Sequence, residues 1–215
     1  MKWKRSVGVI LVTASLALGA WSLPSPSPTP SSSPEPVLSA EETGWLNTLN
    51  GARAGQEVLT PRRVRFRRST WPGAVVVGYI MDSKACVTGS VIFQGKALDL
   101  RQGAAELLST SGWQQASVED RRTLALRFVD QIIMGMGDTL LRQAPDYFPK
   151  DKNKKNHFTN LATQATGAGG VTVTGWIEEA TNGQPFLIYR KSQYVFSPKG
   201  ELERSRILER VVVEL

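Results

Sequence analysis

Alternating and helical spacings of apolar residues divide the chain, after its first 37 positions, into strands, helices and strands again. Ser39-Ala40-Glu41-Glu42 reads as a capping box, in which the Ser hydroxyl takes an orphan helix N–H and Glu42 reaches back. Trp45, Leu46 and Leu49 follow on one helical face, and Asn50-Gly51 is expected to end the helix. Residues 62–68 then alternate with the strand period. Residues 74–80 form a β-branched run after the Trp71-Pro72-Gly73 turn, and residues 87–93 return after a turn at 82–84. The first half thus predicts a three-stranded antiparallel meander.

The middle of the chain changes period. A short helix is expected over 104–111, closed by Gly112, and a longer one from Ser117, with Val118, Ala125, Phe128, Val129, Ile132 and Met136 at helical spacing. Gly135 and Gly137 end it. Residues 139–143 are expected as a last helical turn before Pro145, and Phe158, Leu161, Ala162 and Ala165 as another short helix. Asp99 and Asp138 read as helix or turn caps. From Val171 the strand period returns, with an Asn182-Gly183 hairpin turn, a strand over 185–196, a turn at 197–200 and a closing strand over 207–213. Trp71, Trp113, Trp176 and Tyr189 are expected in the core. Together these patterns predict an α+β domain: two antiparallel β-meanders flanking a central helical block, with the helices packed on one face of the sheet.

Residues 1–37 are of another kind. Lys2, Lys4 and Arg5 precede an apolar or small run over 6–20, the layout of a secretory signal peptide or, if uncut, of an N-terminal anchor. Residues 21–37 form a Pro/Ser-rich linker. Its prolines at 24, 26, 28, 30, 34 and 36 fix φ and remove donors, so a semi-rigid polyproline II spacer is expected. The expected division is therefore 1–20 leader, 21–37 linker and 38–215 single domain. The expected location is extracytoplasmic: periplasmic, envelope-associated or secreted. Any membrane contact would come through residues 1–20 left uncut.

Charge sharpens this outline. The chain carries 26 basic and 19 acidic residues, a net charge of +7. Five arginines fall within residues 61–68, where no acidic residue occurs, and a strand would set Arg63, Arg65 and Arg67 on one side and Val64 and Phe66 on the other. Lys150, Lys152, Lys154 and Lys155 make a second basic run, broken by Asp151. Guanidinium forks in a row suit phosphate, sulfate or carboxylate groups, so a polyanion or an anionic envelope surface is one reading of Arg63, Arg65, Arg67, Lys152, Lys154 and Lys155. Protection of a sheet edge against aggregation is the other.

Candidate chemistry is sparse. One Cys and one His cannot supply an intrachain disulfide or an ordinary zinc site, and no cofactor or metal is expected. Gly167-Ala168-Gly169-Gly170 precedes a strand, whereas phosphate-cradling loops precede a helix, so it reads as a plain turn. Cys86 and His157 are the residues from which a nucleophile and base could be assembled. The leading expectation is an exported, non-enzymatic binding or scaffolding domain of the cell envelope. Its alternatives are an exported hydrolase using Cys86, an extracellular nucleic-acid binder without a known motif, and a small-ligand carrier.

Overall fold

A computed structural model describes residues 36–80, 86–148, 158–181 and 185–214, the Cys86 side chain excepted. The leader, the linker before residue 36, and the turns expected at 82–84 and Asn182-Gly183 lie outside the described residues.

The capping box forms as expected. The Ser39 hydroxyl accepts from the Glu42 N–H, the Glu42 carboxylate accepts from the Ser39 N–H, and α1 runs Ala40–Ala52. The Ser39 hydroxyl also donates to the Glu42 carboxylate at 2.8 Å, and the bonds this carboxylate takes from the Ser39 N–H, first, and hydroxyl hold it below its ordinary range. The cap is complete above the unfolded-chain carboxylate value and is lost as pH falls through the lowered one. The helix runs past Asn50-Gly51 to Ala52, and the Asn50 side-chain amide exchanges hydrogen bonds of 2.9 and 3.1 Å with the Leu59 backbone and ties down the following loop.

The first sheet has four antiparallel strands in sequential order, β1 (Val64–Arg68), β2 (Ala74–Ile80), β3 (Cys86–Phe93) and β4 (Lys96–Asp99). The fourth strand escapes the hydropathy pattern because its hairpin turns on Gln94-Gly95, both at positive φ (49° and 74°), without the Asn or Asp that usually marks such a turn. Asp99 then caps α2 (Leu100–Thr110) by accepting from the Gln102 N–H, as read from sequence. Ser117 caps α3 (Val118–Phe128) in the same way. Ala125, Phe128, Val129 and Ile132 are fully buried as their spacing predicts, whereas Val118 lies 49% exposed at the first helical position.

The second sheet has five strands: β5 (Thr139–Leu140), β6 (Ala162–Ala165), β7 (Val171–Glu179), β8 (Phe186–Phe196) and β9 (Leu202–Glu214). β7, β8 and β9 make the expected meander, while β5 and β6 both pair antiparallel with the free side of β7. Residues 139–143 and 158–165 are therefore not helical. Their Thr and Asn residues carry little helical drive, and the open edge of β7 offers ladder hydrogen bonds that a one-turn helix could not match.

The class is α+β, with two antiparallel sheets and three helices. The arrangement differs from one sheet with helices on a single face. Alternation along β2 sends Val75 and Val77 toward α1, with Leu46, Leu49, Leu59, Val64 and Ile92. Ala74 and Val76 point the other way and join the main core. That core holds α2 and α3 between the two sheets, with Leu107, Leu108, Trp113 and Phe128 meeting Val91 and Phe93 from the first sheet and Val171, Val173, Ile177 and Phe196 from the second. Helices apolar on two sides must bury both, which splits the strands into two layers. A third cluster, Phe148, Trp176 and Tyr189, sits on the far face of the second sheet. All four aromatics expected in the core are buried.

Candidate functional site, a basic edge above a polar cleft

β1 is an edge strand of the first sheet, and its alternation decides what its arginines can do. Val64 and Phe66 face α1, so Arg65 and Arg67, opposite Gly78 and Val76, project from the other face, toward the turn that follows α3. Arg68 points back to α1, where its guanidinium spans both Glu41 carboxylate oxygens at 2.6 and 2.7 Å and stacks over Trp45. Arg63 lies in the turn before β1 and pairs with Glu57 at 3.2 Å. The expected row of three thus becomes a pair. Arg65 donates to the Pro61 and Val64 carbonyls and Arg67 to the Gly135 carbonyl at 2.9 Å. Among the described residues neither meets a carboxylate, so both keep an uncompensated charge on an exposed edge.

The turn that Arg67 reaches is unusual. After Phe128 the helix widens into a π-helical turn, Val129–Ile133, in which the Met134 N–H bonds five residues back to the Val129 carbonyl. Such insertions recur at functional sites because they push side chains and carbonyls off the regular ladder. Here the turn delivers the Gly135 carbonyl to Arg67 and leaves a 280 Å³ cleft lined by Arg67, Ser69, Thr70, Gln131, Gly135, Gly137, Asp138 and Thr139 among others. Gly135 is the only residue that fits, since a Cβ there would lie 2.8 and 2.9 Å from the two γ-methyls of buried Val76 and 3.0 Å from the Ile132 carbonyl. Gly135→Ala is therefore expected to destabilise by about 1–3 kcal/mol through overpacking. Gly44→Ala, in open space on α1, should stabilise by about 0.5–1 kcal/mol. Denaturant unfolding of the two variants measures both.

The acidic groups around the cleft are balanced from behind it. Asp130 lies 3.7 Å from Arg142. Asp138, expected as a local cap, instead accepts from the distant Ala180 N–H and from Arg190 at 2.6 Å. Arg190 is also 3.4 Å from Glu179, which Arg210 meets at 3.1 Å. With those carboxylates offset, Arg65 and Arg67 set the sign of the field at the β1 edge. The nearby phenol of Tyr194 is held above its ordinary range by burial, partly countered by Arg190, so it stays a neutral hydrogen-bonding group.

Lys152, Lys154, Lys155 and His157 lie outside the described residues. Cys86 opens β3 opposite Ile80, and its side chain lies outside them too. Among the described residues no three His, Cys, Asp or Glu gather as metal ligands, and no helix is long and apolar enough to cross a membrane. Gly167 to Gly170 form a turn between β6 and β7, as expected, and the Gly169 carbonyl takes a 2.9 Å bond from Arg121. The cleft residues Ser69, Thr70, Gln131 and Gly135 escape a reading by motif. Their sequence trace is slight: a helical pattern running into Gly-Met-Gly-Asp. Compared with protein-family models, with curated proteins and with solved structures, the chain matches none of them.

Proposed function

We propose that this chain is an exported binding module that contacts a polyanion or an anionic envelope surface through the β1 edge. Arg65 and Arg67 are its first contacts, and the cleft beside Gly135 receives an acidic group of the partner. The observation that carries the reading is the tethering of both guanidinium groups by backbone carbonyls. Two cations about 6.8 Å apart along the strand are pre-oriented without being neutralised. Edge protection alone would be served as well by the two outer arginines, which are already paired with Glu57 and Glu41.

The test uses the full chain on immobilised heparin and on anionic vesicles. Wild type should be retained and elute with salt, because contacts between exposed charges are screened. Arg65→Gln with Arg67→Gln should elute at clearly lower salt with unchanged thermal stability, whereas Arg63→Gln should shift elution little. Equal elution of wild type and the double variant on both supports would reduce β1 to a guarded edge.

A further inference from the structure

The second sheet carries an edge of its own, guarded differently. β9 spans Leu202–Glu214, lies at the end of the second sheet and pairs only with β8. Arg101 covers its first two carbonyls by donating to Leu202 and Glu203, and beyond them no described residue closes the outer side. Natural edges are blunted with Pro, with charged side chains, Lys above all, or with bulges, and the charges flanking the valines of this edge, Arg210 and Glu214, are of opposite sign. The register of β9 against β8 shifts twice before Glu209, but from Glu209 to Glu214 it runs one to one, without Pro, Lys or Gly. Val212 stands 56% exposed in that regular stretch.

Residues 210–214 read Arg-Val-Val-Val-Glu. Laid antiparallel on a second copy about a two-fold axis through Val212, this segment sets Arg210 opposite Glu214, Val211 opposite Val213 and Val212 opposite itself. Opposed residues then share a face, as a continuous sheet requires: Arg210, Val212 and Glu214 on one side, Val211 and Val213 on the other, where they already pack on the Trp176–Tyr189 cluster. The other registers that keep faces matched are worse. Centring on Arg210 or Glu214 opposes like charges, and centring on Val211 or Val213 sets a charge against valine. Arg210 also holds Glu179 at 3.1 Å, yet its side chain is 55% exposed and has donors to spare. The segment is thus self-complementary in charge, shape and face.

The geometry points to β9 as a homodimer interface, in which residues 210–214 of two copies pair antiparallel and join the two second sheets into one across a two-fold axis. The occupant is a second copy of this chain because its own charges answer each other. This surface is separate from β1, and its fate does not depend on the anionic-partner reading.

Sedimentation of the full chain across micromolar concentrations should show reversible dimers, and Val212→Lys should yield monomers whose melting temperature matches that of wild type diluted to monomer. In a Cys86→Ser background, Val212→Cys should form an intermolecular disulfide on mild oxidation. Directly opposed residues have Cα atoms about 4.5–5.5 Å apart, within disulfide reach. Val211→Cys should not link to itself but should link to Val213→Cys when the two are mixed. A wild type that stays monomeric, dimers that survive Val212→Lys, or Val211→Cys linking to itself as readily as Val212→Cys would each overturn the interface.

Discussion

Replacing Phe128 by alanine is expected to remove about 3–5 kcal/mol of folding stability. The ring is wholly buried at the end of α3. It meets Trp71, in the turn before the second strand, edge-on at 6.3 Å, and Phe196, at the end of the eighth, edge-on at 5.8 Å. It is therefore the point where the two sheets and the helical layer share one contact, and its loss leaves a void that two rigid sheets cannot close. Phe128→Leu should cost much less by keeping most of the volume. Denaturant unfolding checks both. A loss below about 1 kcal/mol for Phe128→Ala would mean that the sheets are not packed through α3.

The second large effect is expected at Arg190. Its side chain is 20% exposed and lies between Asp138 and Glu179, each 23% exposed. Arg190→Leu leaves Asp138 without a cation among the described residues, while Glu179 retains Arg210. The cost should be about 2–3 kcal/mol, below the ~3–5 of a fully buried pair because water still reaches the site. Adding Asp138→Asn should recover much of the loss, since the neutral amide no longer needs a counter-charge and its carbonyl can still accept from the Ala180 N–H. If the double variant is as unstable as Arg190→Leu, the damage comes from lost packing of the arginine stem.

Much of the fold follows from local signals. The capping box at Ser39, the caps at Asp99 and Ser117, and the alternation through β2, β7 and β8 each depend on residues within a few positions of one another. What was not legible depends on distant partners. β5 and β6 are strands only because β7 has an open side. α1 and α2 take opposite faces of one sheet because β2 is apolar on both, a pattern that a run of valines shows but does not assign. The candidate site divides in the same way. Strand period placed Arg65 and Arg67 together, but Arg68 is claimed by Glu41, 27 residues away, and Arg67 finds its acceptor 68 residues on, at Gly135. The π-helical turn that puts this carbonyl there has no signature in hydropathy, since it adds one residue to a helix that otherwise keeps its pattern.

Titrating the labelled full chain with a short sulfated oligosaccharide, and following every backbone amide, tests the proposed role of the β1 edge most directly. Saturable shifts are expected, centred on Arg65, Arg67, Ser69, Thr70, Gly135 and Gly137, weakened by salt and abolished by Arg65→Gln with Arg67→Gln. Shifts that leave these amides untouched at saturation would contradict that role.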